Sequence, residues 1–292
     1  MSEERVRFTS AGFTLSGVMG IPEGKNPKPA VIVLHGFGSN KEAGNVTEPC
    51  RIFERLGYVT LRFDMRGCGE SEGERGRLIC LEQVQNTRDA VGFLAAHPAV
   101  DAKRIAVVGS SFGGAVALYA AGLDPRIAAV ISSGGWGNGE RKFRRQHATP
   151  EAWARFTAML EEGRRHRERT GRSLMVPRFE IVPIPPALRT QINAGAIQEF
   201  PAETAQSMLD FRADDVIGQI APRPVLLLHA AVDSVTPTEE SIELFRRARQ
   251  PADLHLFAGA DHFLLAEKNA AVLSVVEQWM QRHLKPGPGY LS

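Results

Sequence analysis

Three side chains could together perform nucleophilic catalysis: Ser111, Asp233 and His262. A serine hydroxyl keeps its proton far above neutral pH, so it needs a base within hydrogen-bond reach. That base in turn needs an orienting carboxylate. Ser111 lies at the centre of Gly109-Ser110-Ser111-Phe112-Gly113, a Gly-x-Ser-x-Gly frame. The β-branched run Ile105-Ala106-Val107-Val108 precedes it, and the alanine-rich, helix-forming Ala115–Ala121 follows. A strand that turns sharply into a helix lifts one side chain out of the sheet. A Cβ at either glycine would collide with the neighbouring backbone. Asp233 follows the apolar run Val225-Leu226-Leu227-Leu228-His229. His262 follows Leu254-His255-Leu256-Phe257. The chain order serine, aspartate, histidine is the one expected for a serine presented in this way.

Rival residues fit less well. Gly69-Glu70-Ser71-Glu72-Gly73 repeats the frame, but no apolar strand leads directly into it and two glutamates flank Ser71. Ser110 would need glycines where Val108 and Phe112 stand. His35, His97, His147, His166, His229, His255 and His283 lack the combination of late chain position and post-strand loop that His262 has. Asp261 is too near His262 in the chain to approach its ring nitrogen well, which leaves Asp233 as the acid. An oxyanion would need two backbone donors: the N–H of Phe112, beside the serine, and that of Phe37 in His35-Gly36-Phe37-Gly38.

The elements that position these groups can be read in order. Val6–Thr9 and Phe13–Met19 alternate around Ala11-Gly12, which predicts an antiparallel hairpin. Ala30–Leu34, Tyr58–Phe63, Arg104–Ser110, Ile127–Ser132, Val225–Leu228 and Leu254–Phe257 read as strands, several of them apolar throughout, as in a parallel sheet buried on both faces. Helices are expected over 47–56, capped by Gly57, over 81–96, from Thr236-Pro237 onward, and over 264–283. Lys285–Gly289 reads as a loose tail. Strand–helix alternation at this spacing implies a mostly parallel, doubly wound sheet.

Between about 134 and 218 the alternation stops. Arg141, Lys142, Arg144, Arg145, Arg164, Arg165, Arg167 and Arg169 lie there with interleaved glutamates, which reads as a solvated, mixed-charge helical face. Val176-Pro177 and Val182–Pro186 read as rigid extended chain. An insertion at this point lies above the carboxyl ends of the strands, where open α/β sheets bind ligands, so it is a candidate lid.

Bulk properties set the remaining bounds. The 292 residues suit one large domain with or without an insertion. With 43% hydrophobic and 23% charged residues, the composition is that of a globular enzyme. A net charge of +2 gives no electrostatic case for nucleic acid or anionic membrane. No apolar run approaches the roughly 18–20 residues of a membrane span, and Met1–Arg5 does not open a signal peptide. Cys50, Cys68 and Cys80 have no Cys-x-x-Cys spacing and read as reduced thiols of a cytoplasmic protein. No cluster has metal-ligand spacing, and the loop around Asp64 and Arg66 lacks a phosphate-loop lysine. No metal or cofactor is therefore expected, and Asp64 and Arg66 read as a structural turn.

His35-Gly36-Phe37-Gly38, Asp64–Ser71, Gly109–Gly114, Asp233 and Ala260-Asp261-His262 together resemble the α/β-hydrolase superfamily. Within it they are similar to the bacterial branch near cinnamoyl/feruloyl esterases and the prolyl-oligopeptidase-like hydrolase domain. The resemblance implies a mostly parallel, eight-stranded sheet with helices on both faces and an inserted lid. Residues 1–135 and 219–292 would form the core, and 136–218 the lid or cap. It implies acyl transfer through Ser111 on a small or medium carboxylic ester, with a small-molecule partner, no nucleic acid or membrane, and a homodimer left open. Peptide, thioester or carbon–carbon bond hydrolysis by the same triad, or ligand binding on a hydrolase scaffold, are the alternatives.

Overall fold

The computed structural model describes residues 2–24, 26–265 and 269–286. In chain order it runs β1 (Ser2–Ser10), β2 (Phe13–Ile21), β3 (Lys28–Leu34), α1 (Gly44–Arg55), β4 (Val59–Phe63), α2 (Cys80–Ala95), β5 (Val100–Ser110), α3 (Phe112–Leu123) and β6 (Ile127–Ser133). The insertion follows: α4 (Gly139–Gln146), α5 (Pro150–Thr170), β7 (Met175–Pro177), α6 (Arg178–Ile181), α7 (Pro186–Arg189), β8 (Glu199–Pro201) and α8 (Ala202–Asp210). Then come β9 (Val225–Ala230), α9 (Glu239–Arg247), β10 (Ala252–Phe257) and α10 (Ala270–His283).

Eight strands form one sheet in the order β1-β2-β4-β3-β5-β6-β9-β10. The β1–β2 hairpin pairs antiparallel with itself and with β4, and the strands from β4 to β10 are parallel. The hairpin turns on Ala11 and Gly12, both at positive φ (+46° and +83°), which matches the strand twist. In the central strands successive residues serve opposite faces. Ala30, Ile32 and Leu34 pack with α2 and α3. Val31 and Val33 pack with α1 and α10. That two-sided burial is why these strands are apolar without alternation.

The insertion shares the core. Trp136, Phe143, Phe156, Val182, Phe200 and Met208 belong to the same apolar cluster as α2 and α3. The hydroxyls of Thr204 and Ser207 accept the N–H groups of Leu78 (3.1 Å) and Cys80 (2.8 Å), at the entrance to α2.

Four expectations are corrected. Arg164, Arg165, Arg167 and Arg169 do lie on an exposed face, paired with Glu161, Glu162 and Glu203, but Arg141 and Lys142 do not. Arg141 joins the fully buried Glu240 (2.7 Å) to Asp214 (2.8 Å), and Lys142 is 1% exposed. The proline-rich stretch is extended only in pieces, because Arg178–Ile181 forms a helical turn between them. The helix expected at Thr236-Pro237 starts two residues later, at Glu239; Thr236 belongs to the preceding loop, where its N–H donates to Asp233 Oδ1 at 2.8 Å and its carbonyl meets His229 Nε2 at 3.0 Å. The last helix starts at Ala270, where the Asn269 side chain caps it; Leu264 and Leu265 are buried in the preceding turn. Residues 266–268, and the expected tail beyond Pro286, lie outside the described residues.

Among the described residues the Lys142 amine has one hydrogen-bond partner, Gln146 Oε1 at 2.9 Å, and it sits over the rings of Phe143 (3.9 Å) and Trp136 (4.7 Å). Burial pushes its amine down to about 7, against the pull of Glu240 and Cys80. Between about pH 7 and 10 the unfolded chain therefore holds a proton here that the folded chain does not, and the stability contribution rises with pH. Lys142→Met removes this linkage. The variant is expected to exceed wild type in stability at pH 6 by an amount on the order of 3 kcal/mol, and by much less at pH 10. Thermal unfolding of both proteins across that range checks this; a pH-independent difference would contradict it.

Candidate active site

The strand–turn–helix at Ser111 is built as its glycines require. Ser111 adopts φ +55° and ψ −116° between β5 and α3, a conformation costly for any residue with a Cβ. Its N–H donates to Ser133 O at 2.7 Å, which ties the turn to the next strand. A Cβ on Gly109 would run into the backbone carbonyl of Gly113. One on Gly113 would lie 2.6 Å from His35 O and 2.7 Å from Leu34 O. The helix can therefore leave the strand tightly only with glycine at both places.

His262, 2% exposed, sits in the loop after β10. Its Nε2 is 2.8 Å from Ser111 Oγ, and its Nδ1 is 2.8 Å from Asp233 Oδ2. With Nδ1 carrying the hydrogen toward the carboxylate, Nε2 is free to accept the serine proton. Asp233 Oδ1 accepts the N–H groups of Val235 and Thr236, both at 2.8 Å. Burial acts to raise the Asp233 pKa. The charge on His262 and hydrogen bonds from His229 and His262 outweigh it and hold the carboxyl below the usual carboxylate range. The acid thus stays ionised opposite an imidazole that can become cationic.

The loop after β3 passes on the other side of Ser111. His35 is fully buried; its Nδ1 lies 2.8 Å from Gly36 O and its Nε2 accepts the Met65 N–H at 3.1 Å. Burial lowers its pKa, so it stays neutral and serves as a brace. Phe37 stacks on Phe200 of the insertion, with ring centroids 4.1 Å apart, and lies 6.1 Å from the Phe112 ring. Gly36, Phe37, Ser111 and His262 all line one cleft. The insertion closes its far side with Arg178, Val182, Ile184 and Ile192. Phe112 is fully buried, so any part it plays there is through its backbone.

Ser111, His262 and Asp233 are brought together, and Phe37 joins them in the cleft. The rivals take structural places. Ser71 Oγ donates to Asp64 O (2.6 Å). Asp64 pairs with Lys41 (2.6 Å) and Arg66 with Glu82 (3.2 Å). Asp261 accepts the Ser234 hydroxyl (2.8 Å) and the Ser234 (2.9 Å) and His262 (2.7 Å) amides, locking the histidine loop to the aspartate loop. Sequence reasoning passed over His229. Fully buried, it lies 3.2 Å from Asp233 Oδ2 through Nε2 and 2.6 Å from Ser241 Oγ through Nδ1. A lone imidazole ending an apolar strand, four residues before the acid, was the available signal. Arg178, a single cation between prolines, was also missed. Among the described residues no His, Cys, Asp and Glu group could hold a metal ion, and no helix is long and apolar enough to cross a membrane.

A mostly parallel sheet presenting serine, histidine and aspartate on one rim defines the α/β-hydrolase class. The chain belongs to the family described as serine aminopeptidase, S33, whose profile matches residues 25–269. It is 28% identical over 275 residues to an uncharacterised 31.7 kDa protein of Escherichia coli from the traX-finO intergenic region, covering 90% of this chain and 94% of that one. It is 28% identical over 272 residues to the polyketide transferase grgF of a Penicillium species (88% of each chain). Identity is also 28% over 274 residues to the thiohydrolase aneE of Aspergillus aculeatus (87% of this chain, 84% of that one). The crystal structure of the α/β hydrolase GrgF from Penicillium sp. sh18 superposes with a TM-score of 0.82 at 26% identity, over 97% of this chain and 99% of that one.

The close approach of Gly113 to β3 sets a direct test of the turn. Gly113→Ala forces its Cβ against two backbone carbonyls that cannot yield, a clash expected to cost at least about 3 kcal/mol. In a chain of this length that lowers Tm by at least about 5 °C. Calorimetry of the variant checks it, and a wild-type Tm would contradict the packing described.

Proposed function

We propose that the protein is a serine hydrolase that cleaves a small or medium carboxylic ester through an acyl intermediate on Ser111. The observation that carries this reading is the Ser111 Oγ–His262 Nε2 contact of 2.8 Å, with His262 Nδ1 held 2.8 Å from Asp233. His262 takes the serine proton as Oγ attacks the ester carbonyl. The tetrahedral oxyanion rests against the N–H groups of Phe37 and Phe112. His262 then gives its proton to the departing alkoxide, leaving acyl-Ser111. In the second half His262 deprotonates water, which releases the acid and restores the serine. Asp233 keeps His262 in the tautomer that exposes Nε2 and offsets its charge when protonated. Residues 136–218, above all the stretch that bears Arg178, Val182 and Ile184, act as the cap that selects the substrate. We place the protein in the cytoplasm on the strength of its free cysteines.

A second reading is thioester cleavage or acyl transfer, favoured by the relatives named thiohydrolase and polyketide transferase. The same acyl-enzyme serves, and only the leaving group and the acceptor change. An aminopeptidase reading is disfavoured by the cleft. A substrate α-ammonium calls for a carboxylate, and no Asp or Glu is among the described residues that line it.

Ser111→Ala is expected to lower kcat on p-nitrophenyl butyrate by at least about 10⁴-fold with little change in Tm. Retained activity would sink the proposal. A panel of p-nitrophenyl acetate and butyrate, S-butyryl-N-acetylcysteamine and alanine p-nitroanilide separates the readings. Ester turnover supports the first, thioester turnover alone supports the second, and anilide turnover alone refutes both.

A further inference from the structure

Arg178 is the first residue of α6, and its side chain is 4% exposed. Every partner it has is neutral. Its Nε donates to Ile197 O (2.9 Å), and its Nη2 to Phe37 O (2.9 Å) and Gly38 O (3.1 Å). The guanidinium carbon lies 5.3 Å from the Phe37 ring centroid and 5.6 Å from that of Phe200. Among the described residues no carboxylate pairs with Arg178, and its Nη1 has no hydrogen-bond partner. Two other buried cations have carboxylates, Lys41 with Asp64 and Glu70 and Arg62 with Glu3 and Glu42; Lys28 and Lys142 bond only to neutral oxygens among the described residues, but neither lines the Ser111 cleft. Burial pushes the Arg178 pKa down to about 10, against the pull of Cys68, so the group is still charged at neutral pH.

The same residue lines the Ser111 cleft, where no Asp or Glu is among the described lining residues. A buried charge without a counter-charge is unfavourable, and a guanidinium with a free N–H edge matches a carboxylate in shape and charge. We propose that the substrate of this site carries a carboxylate that pairs with Arg178 while Ser111 attacks the ester or thioester carbonyl. This rests on the acyl-hydrolase reading above and names its substrate class: half-esters or half-thioesters of dicarboxylic acids, or esters whose leaving group bears the carboxylate. Val182, Ile184 and Val235, also in the lining, suit the carbon chain between the two ends. The competing role for Arg178 is purely structural, a tether on the Phe37 loop. That role treats charged and neutral substrates alike.

The experiment compares kcat/KM of the full-length wild-type enzyme within matched pairs, corrected for hydroxide-catalysed reactivity. One pair is the p-nitrophenyl half-ester of glutarate and its methyl-capped counterpart. The other is 4-acetoxybenzoate and its methyl ester. At least a tenfold preference for the charged member is expected in one pair, and that pair shows on which side of the scissile bond the carboxylate lies. Arg178→Gln is expected to abolish the preference and Arg178→Lys to keep part of it. A ratio near one, or favouring the neutral member in both pairs, overturns the inference. So does an Arg178→Gln variant that lowers both members equally. If that variant does not fold, the wild-type ratios decide alone. If wild type turns over none of the four esters, the Ser111 reading fails separately. Arg178 is then judged by whether glutarate or benzoate raises the wild-type Tm with concentration; no rise overturns its assignment.

Discussion

The rim of the sheet is arranged around one buried carboxylate. Asp233 Oδ1 takes two backbone N–H groups, from Val235 and Thr236, and Oδ2 faces two imidazoles, those of His262 and His229. Backbone donors do not titrate, so the plane of the carboxylate is fixed before either histidine is considered. His229 carries the constraint onward. Its Nδ1 meets Ser241 on α9, and its Nε2 also meets Thr236 O at 3.0 Å. The loop from Asp233 to Thr238 thereby gives two of its amides to Asp233 and one carbonyl to His229, and α9 begins after it, at Glu239. Asp261 performs the matching task for the next loop, holding Ser234 to the His262 backbone. The distance from His262 to Asp233 is thus set by a web of bonds rather than by two side chains finding each other.

Ser111 presents the opposite case, a position held against its own preference. A non-glycine residue at φ +55° costs of order 1–3 kcal/mol. The bond to Ser133 and the tight contact of Gly113 with β3 over-determine it. The fully buried Val107 and Val108 on β5 and Ile131 on β6 hold the strands that impose it. Each such side chain contributes roughly 1.5–3 kcal/mol on burial. A well-packed sheet can therefore keep one strained residue at its edge and still be stable, and that edge is where a proposed nucleophile gains from protruding.

The legible part of this chain was the part written in local chemistry. The apolar runs gave the central strands within a few residues. Ala11-Gly12 gave the hairpin turn, and Gly57, at φ +88°, gave the end of α1. The frame around Ser111 gave the turn, and the post-strand positions of Asp233 and His262 placed both on the same rim. What escaped depends on partners far along the chain. Arg141 looked like a surface cation because Asp214 and Glu240, 73 and 99 residues away, cannot be assigned to it from spacing. Thr236-Pro237 carries a sound helix-start signal, but Thr236 is held in the loop by Asp233 and by His229, seven residues back, and the helix starts at Glu239. Arg178 reads as one more basic residue until Phe37 and Gly38, some 140 positions earlier, are found against it.

The insertion meets the site at both of its working loops, and this limits what it can do. Gln146 on α4 donates to Val235 O, beside the acid, and Arg178 holds the carbonyls of Phe37 and Gly38. Arg141, Thr204 and Ser207 fasten the same segment to α9 and α2. A rigid swing of residues 136–218 away from the sheet would break all of these buried bonds at once and expose the Trp136, Phe143 and Phe200 side chains. Each hydrogen bond left unmade in the interior costs about 1–3 kcal/mol. The part with fewer such ties runs from Val182 to Ala196, fixed at one end by Arg178 and at the other by the Ile197 N–H on Gly38 O at 2.8 Å. Both anchors rest on the Phe37 loop. A displacement of this stretch is therefore transmitted to the backbone of Phe37 and Gly38, the loop that lines the Ser111 cleft.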